Sequence, residues 1–203
     1  MASESLRSSF RRHLREQALT AAYTLAVDKG WDRVTIVDIA EAAGTSRQML
    51  YKEFGDKQGI GDALVLREAE RFLDGVQAVL AEHSDDVRAA ITAASLYTLE
   101  EAEASPLLHA VLTASRMSAA GAEQDGGLLP LLPTSASVLQ VASERLTALL
   151  QDRVPELGPR DVELAVDVVV RLTVSYVVLP AADRRETSHR IAEIAFRLLR
   201  LEH

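Results

Sequence analysis

Apolar residues recur at three- and four-residue spacing along nearly the whole chain, the period of a helix with one buried face. Leu14, Ala18, Ala21, Ala22 and Leu25 form the first stripe, and Lys29-Gly30 reads as its C-terminal stop. Thr35 and Asp38 have capping-box spacing ahead of a short helix with Ile36, Ile39 and Ala40. Gly44 interrupts that piece. Thr45 and Gln48 then read as a second capping box, opening a helix through Leu50, Tyr51 and Phe54. Gly55 ends it, and Asp56 is placed to cap a long helix carrying Ile60, Leu64, Ala69, Phe72, Leu73, Val76 and Leu80. Ser84, followed by two acids, predicts the start of the next helix, with Val87, Ile91, Ala94 and Thr98. Ser105-Pro106 places a cap and a first-turn proline before Leu108, Val111 and Leu112.

Residues 118–135 are rich in glycine and proline and predict a loop, although four leucines lie within it. A helix with Val138, Ala142, Leu146, Leu149 and Leu150 follows, and Gly158-Pro159 breaks the chain again. Residues 159–179 are apolar on almost every side. Their valines favour strand, but the run is too long for a typical strand, so a helix buried on two faces is expected. Pro180 stops it, and Ile191, Ile194, Ala195, Leu198 and Leu201 mark the last helix. The expected architecture is all-α, about nine helices. The expected boundary separates a first helical domain, residues 1–55, from a longer helical body, residues 56–203.

Composition narrows the chemistry. The 203 residues are 48% hydrophobic and include no cysteine. Disulfides, thiol nucleophiles and zinc–thiolate sites are therefore excluded, and a reducing, cytoplasmic setting is expected. No apolar run reaches the roughly 18 residues of a membrane span, and the basic start lacks the apolar core of a secretory signal. The net charge of −8 is uneven: residues 1–60 carry 9 Lys+Arg against 8 Asp+Glu, and all three lysines (Lys29, Lys52, Lys57) lie there. A basic front end suits an anionic partner, although an uneven surface alone would look the same. Arg7, Arg11 and Arg12 read equally as an arm over DNA or as a solvated tail.

The stretch from Thr35 to Ile60, "TIVDIAEAAGTSRQMLYKEFGDKQGI", is helix, glycine turn, helix. The second helix begins with Arg47, Gln48 and Met49 in the position where a recognition helix meets base edges. Arginine suits guanine, glutamine suits adenine, and methionine can touch a thymine methyl. Thr35, Thr45 and Ser46 lie at helix starts that suit phosphate, and Tyr51, Lys52 and Lys57 add a hydroxyl and two ammonium groups. These nine residues are the expected DNA-contacting set. Lys57 opposes the dipole of its own helix, which an anionic partner would explain. Phe54 is expected to close the small domain against the first helix, and Trp31 to pack in its base.

This stretch resembles the amino-terminal signature of TetR-type transcriptional regulators, in the Thr-initiated helix, "IAEAAG", Ser46, Tyr51 three before Phe54, and Lys57 after Gly55-Asp56. The resemblance spans about residues 14–65. It implies an Ω-shaped helical homodimer with a DNA-reading domain and a ligand-binding body whose last two helices form the dimer interface. Many family members have glycine or threonine where this chain has Gln48 and Met49, so its reading surface is bulkier. If Gln48 returns to the backbone in a capping box, it cannot also read adenine. The stretches "TSRQMLYKEFGDKQGIGDALVLREAERFL" and "VVVRLTVSYVVLP" are also similar to an actinobacterial subgroup linked to alkane and fatty-acid metabolism, which implies a long apolar effector such as a long-chain fatty acid or acyl derivative.

In the body, few aromatics accompany many leucines, valines and alanines, so an alkyl chain is a better match than a flat aromatic. The expected lining is Leu96, Leu108, Leu112, Val138, Ala142, Leu146, Thr173 and Val177, with Tyr97, His109 and Tyr176 as candidates for a polar end. The loop 119–134 is a candidate cover. Val166, Val170, Val174, Ile191, Ile194 and Leu198 are the expected dimer contacts. Arg171 follows Asp167 at i+4, so an internal pair explains it. The five histidines show no paired helical spacing, so neither metal nor cofactor is expected. No Gly-rich phosphate loop or G-x-S-x-G elbow supports an enzyme. The sequence reads as a ligand-responsive, homodimeric, double-stranded-DNA-binding repressor with no membrane partner. A carrier protein with a vestigial helix-turn-helix is the alternative.

Overall fold

A computed structural model describes the backbone of residues 2–120 and 135–199, and the side-chain surroundings of 8–113 and 138–199. The expected covering loop 119–134 falls almost wholly outside the described residues. Among the described residues there are nine α-helices, one 3-10 turn and no strand. They are α1 (Ala2–Lys29), the turn Trp31–Arg33, α2 (Ile36–Ala42), α3 (Arg47–Phe54), α4 (Lys57–Glu82), α5 (Val87–Ala104), α6 (Pro106–Ala120), α7 (Ser135–Arg153), α8 (Pro159–Val178) and α9 (Arg184–Leu199). No described helix is long and apolar enough to cross a membrane.

The described residues divide into two compact units, one running to Glu68 and the other from Ala69 onward. In the first, Leu19, Trp31, Val34, Ile39, Leu50, Ile60 and Leu64 are buried and hold α1, α2, α3 and the start of α4 together. Trp31 thus packs at the base as expected. Arg15 of α1 lies 5.1 Å from the centroid of the Phe54 ring, closing α3 onto α1. In the second unit α5 packs on α9, and α8 on α5, α7 and α9. Its centre is Phe72, Ile91, Leu112, Leu150, Val162 and Ile191.

The helix ends follow local chemistry. Thr35 and Asp38 form a reciprocal capping box, Asp56 accepts from the Gly59 amide at 2.8 Å, and Ser105 accepts from the Leu108 amide at 3.2 Å. Two caps differ from expectation. Asp86, not Ser84, caps α5 by accepting from the Ala89 amide at 2.9 Å, because the Ser84 amide still bonds back to Ala81 in the last turn of α4 and the Asp86 amide to the His83 carbonyl just beyond it. Ser46, not Thr45, caps α3: its hydroxyl accepts from the Met49 amide at 3.3 Å. Gly44 sits at φ 62, which lets the Thr45 amide reach the Ala40 carbonyl at 2.9 Å and delays α3 by one residue.

Two further readings are corrected. The arginines at 7, 11 and 12 belong to a helix that begins at Ala2, not to a separate arm. On α8 and α9 part of the expected interface faces inward. Val166, Val174 and Ile191 are buried within the single chain, where a partner cannot reach them, and Val170 is half-buried. Ile194 is half-buried and Leu198 is 41% exposed. The outer side of α8 instead carries Leu164, Val168, Arg171, Leu172 and Ser175, followed by Leu179, at helical spacing. A helix apolar all round has no polar stripe to mark which side faces out.

Candidate functional site

The first candidate surface is the outward face of α3. Arg47, Gln48, Tyr51 and Lys52 are exposed, and their spacing places them on one side of the helix. Leu50 on the opposite side is wholly buried and anchors that orientation. Met49 is half-buried and its amide serves the Ser46 cap. The change of cap leaves Gln48 outside any capping box, so its amide group stays on the exposed first turn.

The one carboxylate of α3, Glu53, is turned inward. It takes Arg11 at 2.6 Å and Arg15 at 3.5 Å and is only 9% exposed. Both arginines therefore neutralise an acid that would oppose an anionic partner, and the outward face keeps Arg47 and Lys52 without a carboxylate among them. Nothing in the sequence marked Glu53 for this role, because its partners lie a whole helix-turn-helix away.

The remaining expected DNA-contacting residues are more committed. Thr35 donates its hydroxyl proton to Asp38 at 2.7 Å and accepts from the Asp38 amide at 3.2 Å. Asp38 also receives Lys29 at 2.8 Å, and this bond, ahead of those from Thr35, holds its carboxyl at about 2 instead of 3.8. Thr45 is half-buried in the glycine turn. Lys57 donates to the Asp32 carbonyl at 3.3 Å and lies 5.2 Å from the Trp31 ring centroid. Its position against the helix dipole thus has an internal explanation, a carbonyl and a π-face.

The second candidate site is inside the body. An inner cavity lies between α4, α5, α6, α7 and α8 and holds about 50 Å³ of free space. Its wall includes Phe72, Val76 and Leu80 from α4, Ile91, Ala94, Ser95 and Thr98 from α5, Leu112, Leu139, Ala142 and Leu146, and Val169, Val170, Thr173 and Val174 from α8. The wall is aliphatic apart from one phenyl ring and three hydroxyls. Thr173 donates to the Val169 carbonyl at 2.7 Å, and Ser95 lies 3.5 Å from the Thr173 hydroxyl. An outer cavity of about 380 Å³ is lined by Leu99, Ala102, Glu103, Pro106, His109, Tyr176, Val177, Pro180, Ala181, Arg184 and Thr187. Arg184 is ion-paired there with Glu103.

The expected lining is therefore divided. Leu112, Ala142, Leu146 and Thr173 face the inner cavity, and His109, Tyr176 and Val177 the outer one. Leu96, Tyr97, Leu108 and Val138 line neither. Leu108 and Val138 are core, and Tyr97 stacks on Phe72 with ring centroids 6.0 Å apart. Burial, with Glu101 adding, raises the Tyr97 hydroxyl above its ordinary value. Val170 and Val174, expected at a dimer interface, line the inner cavity. Phe72, Val76 and Leu80 of α4 also line the inner cavity, although their spacing is that of an ordinary core stripe. Arg171 pairs with Asp167 at 2.7 Å, as its spacing predicts. Among the described residues no group of three or more His, Asp or Glu is arranged to hold a metal.

Comparison with known proteins gives matches at both ends of the chain. Residues 18–64 match the model of bacterial regulatory proteins of the tetR family, and residues 86–197 match that of the bacterial tetracyclin repressor C-terminal domain. The transcriptional regulator AlkX of Mycobacterium tuberculosis is 33% identical over 187 residues, 92% of this chain and 83% of the relative. The crystal structure of the TetR family repressor AlkX from a Dietzia strain, implicated in biodegradation of n-alkanes, superposes with a TM-score of 0.62 at 25% identity, covering 91% of this chain and 96% of that one. The regulator FadR of Bacillus subtilis, solved in complex with stearoyl-CoA, shares the fold with a TM-score of 0.60 at 15% identity, covering 93% and 99% of the two chains.

Proposed function

The chain belongs to the TetR family of bacterial transcriptional regulators, and from that membership we propose that it is a homodimeric, cytoplasmic repressor released from its operator by a molecule with a long apolar chain. The observation that carries the DNA half is the α3 face. Arg47 and Gln48 stand exposed on its first turn, while the Glu53 carboxylate is drawn away beneath. Arg47 and Gln48 read base edges in this proposal. Ser46, Tyr51 and Lys52 position the helix on phosphates. Thr35, Thr45, Met49 and Lys57 shape and stiffen the surface.

The observation that carries the effector half is the α4 wall of the inner cavity. With about 50 Å³ of free space it has room for a few waters, well short of the roughly 300 Å³ of a typical ligand site. An alkyl chain can enter only by moving the wall, and Phe72, Val76 and Leu80 belong to the helix whose first turns are part of the α3-bearing unit. Effector and operator then favour different positions of α4, and each weakens the other by population shift. The alkane link of the AlkX relative and the acyl ligand of FadR agree with an aliphatic lining. Association through the outer faces of α8 and α9 completes the dimer.

A carrier protein would not need an exposed Arg47, Gln48 and Lys52. The test is an electrophoretic shift with DNA from upstream of the protein's own gene. Shift by the protein and reversal by dodecanoate but not butyrate is the expected result. Failure to shift any upstream DNA would favour the carrier reading. Reversal independent of chain length would remove the apolar effector.

A further inference from the structure

The two cavities of the body lie in register on the same helices. On α5, Ser95 faces the inner cavity and Leu99 the outer; on α8, Thr173 faces the inner and Val177 the outer. On α6, which runs back from α5 after a one-residue break, the numbers fall instead of rising: Leu112 is inner and His109 outer. Each step is three or four residues, one helical turn of about 5.4 Å. The cavities therefore follow one another along a common axis. Leu99 and Val177, the outer-cavity residues one turn from Ser95 and Thr173, are aliphatic and buried.

Their chemistry changes along that axis. The inner end is almost wholly aliphatic. The outer end brings a guanidinium, an imidazole and a phenol to a space of about 380 Å³. Its cation, Arg184, is the first residue of α9, and its partner Glu103 lies at the end of α5. The Glu103 side chain is 63% exposed, so it can turn to solvent with little loss.

Resting on the apolar-effector reading above, we infer that the two cavities are the two ends of one effector path and that Arg184–Glu103 is a latch across its mouth, opened by an anionic head group. The alkyl chain passes Leu99 and Val177 into the aliphatic end. The anion takes the place of Glu103 on Arg184. The effector class is then an amphipathic anion, a long-chain carboxylate or another chain with an acidic head, in preference to a neutral alkane or alcohol.

The test measures direct binding of dodecanoate, hexanoate and 1-dodecanol to the full chain by calorimetry, with circular dichroism to verify folding. The wild type is expected to bind dodecanoate on the order of tenfold more tightly than 1-dodecanol, the worth of one charge-assisted hydrogen bond. Arg184→Gln should abolish that preference and Arg184→Lys should keep it. Glu103→Gln removes the competing carboxylate and should strengthen dodecanoate binding by roughly threefold, the worth of an exposed ion pair. Ala142→Trp, which fills the inner end, should weaken dodecanoate and leave hexanoate unchanged. Equal binding of acid and alcohol by the wild type, or weaker acid binding by Glu103→Gln, overturns the latch and leaves the apolar cavity standing. Equal weakening of both acids by Ala142→Trp overturns the single path. Binding of no chain of any kind removes the effector reading itself, and this inference with it.

Discussion

The hydroxyl of Tyr97 on α5 occupies the space that a side chain at Gly75 on α4 would need. A Cβ at Gly75 would collide with both the hydroxyl and the ring of Tyr97. The ring is held there by Phe72, one turn away on α4, with the two planes 13° apart. Gly75→Ala would add about 1 kcal/mol of helix propensity, but overpacking costs about 1–3 kcal/mol. The net effect expected is destabilisation. Tyr97→Ala should absorb the added methyl, so the double variant loses less than the two single losses together. Urea midpoints check this, and a stabilised Gly75→Ala would contradict it.

A second prediction concerns acid. Lys29, with Thr35, holds the Asp38 carboxyl at about 2, below its usual 3.8. A folded-state value below the unfolded one stabilises above the unfolded value and is lost as pH falls through the folded one. The contribution of Asp38 is therefore complete above about pH 4 and gone below about pH 2. The stability difference between wild type and Asp38→Asn should shrink across that window. Parallel curves for the two proteins from pH 5 to 2 would show that the bridge has no such role.

On DNA, Arg47→Ala should cost about 1–3 kcal/mol at one base pair and relax preference there. Lys52→Ala should weaken all sequences alike and lower the salt slope by about one. Lys57→Ala should lower the melting temperature as well, because Lys57 packs on Trp31. Binding measured across operator variants and salt concentrations separates these effects. Equal loss of specificity in the Arg47 and Lys52 variants would defeat this division of roles.

Ser46→Ala should destabilise the protein by about 1 kcal/mol, the usual worth of a helix cap, whereas Thr45→Ala should cost less. Faster hydrogen exchange of the Met49 amide in the Ser46 variant is the specific signature, since that amide is the one the hydroxyl accepts from. A larger effect from Thr45 would return the cap to the earlier residue.

For assembly, Leu164→Glu combined with Leu198→Glu should yield a folded monomer in sedimentation, because both side chains are exposed on the single chain, at 53% and 41%. Val166→Glu should unfold it instead, by burying a charge in the protomer core. A persistent dimer of the double variant would place the interface elsewhere.

Much of this was legible from the sequence alone. The all-α class, the glycine turn, the Thr35–Asp38 box, Asp56, Ser105-Pro106 and the Arg171–Asp167 pair rest on residues within one helical turn of each other. Such contacts depend on spacing and residue type, which a sequence displays directly. The one-residue slip from Thr45 to Ser46 marks the edge of that legibility. Two adjacent hydroxyls both satisfied the local rule, and the positive φ of Gly44 chose between them.

Other features were set by neighbours distant in the chain. Whether Val170 and Val174 face a cavity or a partner depends on which side of α8 the other helices cover, and an all-apolar helix offers every side. Glu53 became an internal anchor only because α1 brings Arg11 and Arg15 to it. Arg184 and Glu103 meet only because α5 packs along α9. The sequence determined which segments are helical and most of their caps, because hydrogen bonding within a turn is local. The tertiary structure decided which faces are inside, because burial is a competition among helices for a limited interior.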